Sequence, residues 1–285
     1  MSIFYESLLS LKAGGYPRRF GARPPAEASN FSKPHPGPGF RVVGSVESEL
    51  APRTILGISA SYHDSSASLI KDGRVVASVQ EDRFTRRNHD SRFPVSAISF
   101  CLSQANLSIR EIDLVAYYEE PVLKIDRVLQ SVLATGSPLD DTALASAQRL
   151  LKTPLWLGKK VEYDGPVCFV QHHLSHAASA FFVSEFDDAA CLVIDGVGEW
   201  ATTSLGIAGL DGIQILEQID YPHSLGLFYS ALTAYLGFSA NNDEYKVMAL
   251  ASYGRPTFED KLQELIHIHP DGSFSLNLDY FAFQL

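Results

Sequence analysis

Short apolar runs separated by polar turns dominate the chain from Thr54 onward and predict a series of β-strands. A strand, a polar loop, a second strand, a tight Asp-Gly turn and a third strand follow one another. The same order occurs again further along, also with an Asp-Gly turn, and so predicts a duplicated β-hairpin unit. The predicted strands are 54–60, 66–70 and 74–80 in the first unit, and 189–195, 201–209 and 213–219 in the second.

Helical patterns lie between and after these two units. The predicted helices are 96–105, 123–152, 225–236, 245–251 and 258–266, and further strands are predicted at 114–118 and 167–171. An alternation of strands and helices predicts an α/β fold in which helices cover a sheet. Two hairpin units, each with a polar loop between its first two strands, are typical of the actin-like architecture, in which such paired loops hold nucleotide phosphates.

Residues 1–52 have a different composition from the rest of the chain. They contain seven of the 15 prolines, and their Lys and Arg residues slightly outnumber their Asp and Glu residues. Proline removes a backbone donor and restricts φ, so a stretch such as KPHPGPG does not sustain a helix or a central strand. We therefore expect a flexible Pro/Gly-rich extension over 1–52 and a folded domain over 53–285.

The overall composition is that of a compact soluble protein, with 46% hydrophobic and 20% charged residues. The net charge of −10 argues against a nucleic-acid partner, because binding a phosphate backbone requires clustered Lys and Arg. Cys101, Cys168 and Cys191 form no CxxC pair, which disfavours a disulfide framework or a cysteine-based zinc site. No apolar run is long enough to span a membrane, and we expect a cytoplasmic protein.

Three histidines within five residues give the most informative local pattern, VQHHLSHAASAFFVS. A strand ends at Gln171 and a helix begins, so His172 and His176, four apart, project from one helical face and can share a metal ion. His173 and His176, three apart, are an alternative pair, and a bland alternative is that the histidines only cap or pack. The residue after His172 is not the Glu that a zinc peptidase motif requires, so peptide hydrolysis is disfavoured.

A carboxylate followed by a glycine loop occurs at the end of a later predicted strand, in VIDGVGEW. Asp195 at that position can ligate a metal ion, and the backbone at Gly196 and Gly198 can approach an anion closely. Asp-Gly is also a common turn. Two helical histidines with one carboxylate form a ligand set that favours Fe(II) over structural zinc.

Two polar segments are further candidates for ligand binding. The loop SASYHDSSASL presents Tyr62, His63 and Asp64 at its tip and can wrap a phosphate or an acyl group; a plain hairpin loop is the alternative. NNDEYKVMALASYG places Glu244 and Lys246 before an apolar helix, where they also suit an ordinary capping segment.

These segments, together with VAYYEEPVLKIDRVL and SLGLFYSALTAYLGF, resemble the NodU/CmcH-type O-carbamoyltransferases of nodulation-factor and antibiotic biosynthesis. The resemblance runs from about Thr54 to the C-terminus. It implies a domain of the Kae1-like branch of the actin-like ASKHA fold, in agreement with the duplicated hairpins.

The resemblance also implies a two-step reaction. A YrdC-like domain makes carbamoyl adenylate from ATP and carbamoyl phosphate, and the Kae1-like domain transfers the carbamoyl group to a substrate hydroxyl. Fe(II), or another divalent ion such as Zn, is implied at His172, His176 and Asp195, with His176 and Asp195 also catalytic. Tyr62 is implied to contact the carbamoyl adenylate.

The chain departs from the family pattern in two respects. Glu120 stands where family members often have a Lys for the adenylate, and we expect this change either to weaken adenylate binding or to pass that role to another residue, for which Lys124 is the candidate. The chain also stops at Leu285, so we expect an actin-like domain that is incomplete at its C-terminus and exposed apolar surface on the unfinished side. The YrdC-like domain is expected to be absent from this chain, and a separately encoded one is a candidate partner. A degenerate, non-catalytic protein that binds a nucleotide or a partner is the alternative function, and an actin-fold kinase is a third.

Overall fold

The larger of two main sheets has six strands in the order β1-β6-β5-β2-β3-β4. The structure is a computed structural model that describes residues 29–34, 39–43, 52–135 and 153–281. The strands of this sheet are β1 (Phe40–Val43), β2 (Thr54–Ser59), β3 (Ser66–Lys71), β4 (Arg74–Gln80), β5 (Leu114–Tyr117) and β6 (Val167–Val170).

Strand direction within the larger sheet brings three loops to one edge. β2, β3 and β4 form an antiparallel meander, whereas β2 pairs with β5, and β5 with β6, in parallel. The carboxyl ends of β2, β5 and β6 therefore point the same way. Ligand sites of α/β sheets lie at such an edge.

The second sheet is an antiparallel meander in the order β7-β8-β9. Its strands are β7 (Ala189–Ile194), β8 (Ala201–Gly209) and β9 (Gly212–Asp220), and a separate hairpin consists of β10 (Ile266–Ile268) and β11 (Phe274–Leu276). The α-helices are α1 (Asp82–Thr85), α2 (Val95–Ala105), α3 (Pro121–Thr135), α4 (Thr153–Val161), α5 (His172–Phe181), α6 (Leu225–Tyr235), α7 (Glu244–Ala251) and α8 (Glu259–Leu262), with 3₁₀ turns at Ile109–Glu111 and Leu278–Tyr280.

Both faces of the larger sheet are buried at β2, which explains the unbroken run without polar side chains from Ile55 to Ile58. On one face, Leu56 and Ile58 pack with Ala97 and Ile98 of α2. On the other face, Leu174 of α5 packs in a second buried cluster with Ile55, Ile70, Leu114, Ala116, Cys168 and Val170. Ile213 of β9 packs against this same cluster, so α5 lies where the two sheets meet.

The predicted mixed α/β class is confirmed. The two predicted hairpins are present, and the left-handed φ angles of Asp72 (49°), Gly73 (76°) and Gly212 (106°) show why Asp and Gly stand at these turns. That the two meanders are copies of one actin-like unit remains a prediction.

The helix predicted over 258–266 is wrong in extent, because α8 ends at Leu262 and the apolar residues after it form β10. Residues 136–152 of the helix predicted over 123–152 lie outside the described residues.

Part of the stretch predicted to be a flexible extension is paired with the two sheets. β1 lies antiparallel to β6, and Ser32 forms an isolated antiparallel bridge with Gln218 of β9. Gly39 has a φ of +75°, and a Cβ on it would lie 2.9 Å from Leu174 Cδ2. The sequence analysis missed these pairings because each partner lies more than a hundred residues away; the rest of 1–52 is not described.

Apolar side chains are exposed in the second half of the described chain. Leu192 and Ile194 of β7 are 61% and 51% exposed. Further exposed apolar side chains near the C-terminal end are Tyr235, Leu236, Tyr245, Met248, Leu250, Tyr253 and Phe258. Such surface is expected from the sequence, and an unfinished domain as its cause remains a prediction. Among the described residues, no helix is both long and apolar enough to cross a membrane.

Candidate metal centre

Three of the predicted ligands come together where the two sheets meet. Ligand atoms of His172, His176 and Asp195 all lie within 4.8 Å of one another. His172 Nε2 is 2.9 Å from Asp195 Oδ2 and 3.1 Å from His176 Nε2, and His176 Nε2 is 3.9 Å from Asp195 Oδ2. Imidazole nitrogens and a carboxylate converging in this way form a possible site for a divalent transition metal.

Local sequence explains this convergence. Helix α5 begins at His172, directly after β6, so the i,i+4 spacing stacks His172 and His176 on one face. Asp195 follows β7 of the other sheet. The sequence left His172 and His173 as alternatives, and the structure pairs His172 with His176. His173 points the other way, is 4% exposed, and has Nδ1 hydrogen-bonded with Ser204 Oγ at 2.7 Å.

The charges at this cluster favour a cation. Burial would raise the pKa of Asp195, but the hydrogen bond and charge of His172 hold it well below its usual range. Burial opposes charge on His172 as well, yet Asp195 outweighs this effect and raises the His172 pKa. Burial and the charge of His172 lower the pKa of His176 to about 4. His176 is therefore neutral near pH 7 and has a lone pair to offer a metal ion.

The segment after β5 forms one side of the cluster. The Tyr118 and His172 rings meet edge to face with centroids 5.3 Å apart. Lys124 Nζ lies 2.6 Å from the buried Glu119 carboxylate and 5.8 Å from the centre of the Tyr62 ring. Glu120, the departure from the family pattern, is buried, and its Oε1 accepts a hydrogen bond from Val122 N (3.1 Å) in the first turn of α3.

The loop after β2 brings only one of its three candidates towards the cluster. Tyr62 is 56% exposed; burial of its hydroxyl and then the negative charges of Asp195 and Glu244 raise its pKa. His63 and Asp64 turn towards the neighbouring loop: Asp64 contacts His63 Nδ1 at 2.9 Å and His89 Nδ1 at 3.2 Å.

The glycines after Asp195 have different roles. A Cβ on Gly198 would lie 3.2 Å from both His172 Cβ and His173 Cδ2, so this glycine permits close packing against α5. A Cβ on Gly196 would meet only Leu227 Cδ2, at 3.9 Å, and Gly196 N donates to Asp195 Oδ1 at 2.7 Å.

Of the pair at α7, Glu244 anchors structure and Lys246 lies at the surface. Glu244 Oε1 accepts hydrogen bonds from Ser230 Oγ (2.8 Å) and Asn241 N (2.7 Å), which ties α7 to α6. Lys246 Nζ pairs with Asp243 at 2.6 Å on the exposed side. The structure does not bring Lys246 to the metal ligands.

Sequence reasoning missed the residues that hold Asp195 in place. Ser224 caps α6 by accepting from Leu227 N (3.0 Å) and also donates to Gly196 O (2.6 Å). A Cβ on Gly226 would lie only 2.5 Å from Asp195 O, so α6 packs directly on the backbone at this position. The serine before an apolar helical run was a usable capping signal; the need for Gly226 was not visible in the sequence.

The fold and the cluster together define a mixed α/β protein with a two-histidine, one-carboxylate centre at the junction of two sheets. A family model described as Carbamoyltransferase N-terminus matches residues 54–285. The chain belongs to this carbamoyltransferase family, which confirms the predicted membership of a transferase family.

Two curated relatives show how much of a longer protein the chain represents. The uncharacterized protein sll1178 of Synechocystis is 46% identical over 242 residues, which cover 80% of this chain and 39% of that protein. The nodulation protein NolNO of Sinorhizobium fredii is 36% identical over 222 residues, or 76% of this chain and 32% of that protein. The matched part of the chain therefore spans 32% to 39% of the length of these relatives.

A solved structure of YeaZ from Pseudomonas aeruginosa is also similar, at 15% sequence identity and a TM-score of 0.33. The match covers 60% of this chain and 68% of that one. A TM-score of this size reflects only a partial overlap of the two chain traces, and the Kae1-like, actin-like assignment remains a prediction.

Proposed function

We propose that the chain is the N-terminal part of an O-carbamoyltransferase that transfers a carbamoyl group from carbamoyl adenylate to a substrate hydroxyl in secondary-metabolite or glycan biosynthesis. The observation that carries the proposal is the convergence of His172, His176 and Asp195 in a chain of the carbamoyltransferase family. The acceptor is a hydroxylated small molecule, and a cytoplasmic location suits ATP and carbamoyl phosphate as the source of the adenylate.

The donor set fits a divalent ion, Fe(II) or Zn. The imidazole nitrogens of the two histidines are 3.1 Å apart and lie beside an ionised carboxylate. The lone pairs of these nitrogens repel each other unless a proton or a cation lies between them. The ion would supply Lewis acidity for the carbamoyl carbonyl oxygen, which becomes negative as the hydroxyl attacks. Asp195 and the two histidines would hold it, and Asp195 would keep His172 oriented.

The remaining residues would bind and orient the adenylate. Tyr62, half exposed beside the centre, would contact it, and Lys124 at the Tyr62 ring would provide positive charge near its phosphate. Among the other candidates for adenylate binding, Gly196 and Glu244 lie near the cluster. His63, Asp64 and Lys246 would contact the adenylate at the edge of the site. Gly198 would contribute only by allowing the loop to pack against α5. A YrdC-like domain, in a longer chain or separately encoded, would make the adenylate.

The second candidate function is a degenerate protein that binds a nucleotide or a partner without catalysis. Glu120 favours it, because a buried carboxylate that caps α3 replaces a cation near an anionic ligand. In this case the metal centre would be structural.

Metal analysis of the purified protein tests the site. We expect bound iron or zinc in the wild-type protein and its loss in a His172→Ala, His176→Ala double variant. A His267→Ala, His269→Ala double variant is the matched control, because those two histidines, one on β10 and one directly after it, also lie side by side, with ring centroids 4.8 Å apart. Unchanged metal content in the first variant would refute the assignment.

Carbamoyl transfer is tested by adding a YrdC-like domain, ATP, carbamoyl phosphate and a hydroxylated acceptor. We expect carbamoylated product and AMP only when both proteins are present. Metal binding without any product for a range of acceptors would favour the degenerate alternative.

A further inference from the structure

Glu199 is a buried carboxylate directly beside the metal centre that the sequence analysis did not single out. It is 5% exposed and lies at the end of the glycine loop that begins with Asp195. Its Oε1 accepts a hydrogen bond from Glu120 N at 2.7 Å. Its two oxygens also lie 3.0 and 3.1 Å from His172 N, which donates to them.

These two amides belong to the starts of two different helices. Glu120 immediately precedes α3 and His172 is the first residue of α5, and both helices follow parallel strands of the larger sheet. Gln171, in the capping position of α5, makes no side-chain capping hydrogen bond. Glu199 therefore caps α5 from the second sheet, and its negative charge at a helix N-terminus is favourable.

The same loop is attached to His172 at both of its ends. Asp195 Oδ2 is 2.9 Å from His172 Nε2, and the Glu199 carboxylate binds His172 N. Between them, Gly198 packs so closely that a Cβ would lie 3.2 Å from His172 Cβ. The side chain of His172 is bound by Asp195 and its amide by Glu199, so His172 is held in one position relative to Asp195.

We infer that Glu199 is a positioning residue for the metal centre: by binding the amides of His172 and Glu120 together, it sets the distance between His172 and Asp195. The inference rests on the proposed metal site and extends it to a residue that touches neither metal nor substrate. Mutating a residue that hydrogen-bonds to a metal ligand and orients it typically lowers metal affinity by about 10–100-fold.

The test is a titration of the metal-free full chain with Co²⁺, followed by the visible absorption of the bound ion, for wild type, Glu199→Gln and Glu199→Ala. A glutamine has one acceptor oxygen in place of two and adds two donors that face the amides of His172 and Glu120. We expect Co²⁺ affinity to fall by roughly 10–100-fold in both variants, with an altered absorption spectrum because the ligand geometry changes.

Glu81 provides a matched control. It is 4% exposed and accepts hydrogen bonds from Ser96 N (3.2 Å) and Ala97 N (2.8 Å) at the start of α2, so it performs the same capping with no contact to the metal ligands. Glu81→Gln is expected to lower the melting temperature as Glu199→Gln does, while leaving Co²⁺ affinity and spectrum unchanged.

The outcomes separate this inference from the function proposed above. Wild-type affinity and spectrum in Glu199→Gln would overturn the positioning role and leave the metal site standing. Equal losses of Co²⁺ affinity in Glu81→Gln and Glu199→Gln would also overturn it, because a general loss of stability would then explain both. A wild-type protein that binds no Co²⁺ would overturn the metal site and the inference together.

Discussion

Substituting Gly226 by Ala should destabilise the protein at one place, where α6 packs on the backbone of Asp195. The new Cβ would lie 2.5 Å from Asp195 O and from Gly196 N, and 2.6 Å from Asp195 C. Ordinary contacts at a Cβ begin near 3.4 Å, so backbone atoms must separate by almost 1 Å. Backbone, unlike the end of a flexible side chain, does not yield without moving α6 or the loop after β7.

The expected cost is that of overpacking, about 1–3 kcal/mol in the free energy of unfolding. For a domain of this size it corresponds to a fall in melting temperature of roughly 2–12 °C. Because the displaced atoms carry Asp195, metal affinity should fall as well. Thermal unfolding followed by circular dichroism measures the first effect, and Co²⁺ titration measures the second.

Gly196→Ala is the matched control within the same contact. Its Cβ would meet only Leu227 Cδ2, at an ordinary 3.9 Å, so stability and metal affinity should stay close to those of the wild type. A Gly226→Ala protein as stable as Gly196→Ala would show that α6 does not pack on Asp195 as described, and would refute the reasoning.

Three further predictions concern other parts of the molecule. Ser224→Ala should lower the free energy of unfolding by about 1 kcal/mol through loss of the α6 cap, measurable by urea denaturation; Ser252→Ala, at an exposed position with Oγ 2.7 Å from Ala249 O, should change it much less. The hydrogen bond from Arg92 outweighs burial and lowers the pKa of Asp90 well below its usual range, so its stabilisation is present above about pH 3.9 and is lost as pH falls below that value; acid denaturation of Asp90→Asn should show a weaker pH dependence there, and an unchanged one would contradict the pairing. Arg41→Pro should remove a donor from the β1–β6 ladder and speed hydrogen exchange of the amides at 167–170 but not at 274–276; equal exchange in the two proteins would show that β1 is not paired.

Most of the strands and the convergence of the three candidate metal ligands could be predicted from local patterns. The Asp-Gly turns at 72 and 211 revealed both hairpins because left-handed φ angles restrict the residues that fit there. The spacing of His172 and His176 predicted a shared helical face, which needs only the helix period.

What escaped prediction depends on partners far apart in the sequence. Glu199 shows nothing unusual locally, and its role arises because a loop of the second sheet reaches the helix starts of the first. Position 226 requires a glycine because the backbone of Asp195 and Gly196, thirty residues earlier in the sequence, lies where a Cβ would be. The helix predicted over 258–266 ran past its actual end at Leu262 because short apolar runs fit either structure; Ile266 instead begins β10, which pairs with β11.

The pairing of β1 with β6 has a consequence for the order in which the chain folds. Phe40 lies opposite Val170, so the first of these strands leaves the ribosome some 130 residues before its partner exists. At roughly 5–20 residues per second, β1 waits on the order of 6–26 seconds without a ladder to join. The β2–β3–β4 meander, whose contacts are local, can form during that time. β1 is thus synthesised before the other strands of this sheet yet is among the last to be added to it, and a slow step assigned to β1 should depend on β6 being intact.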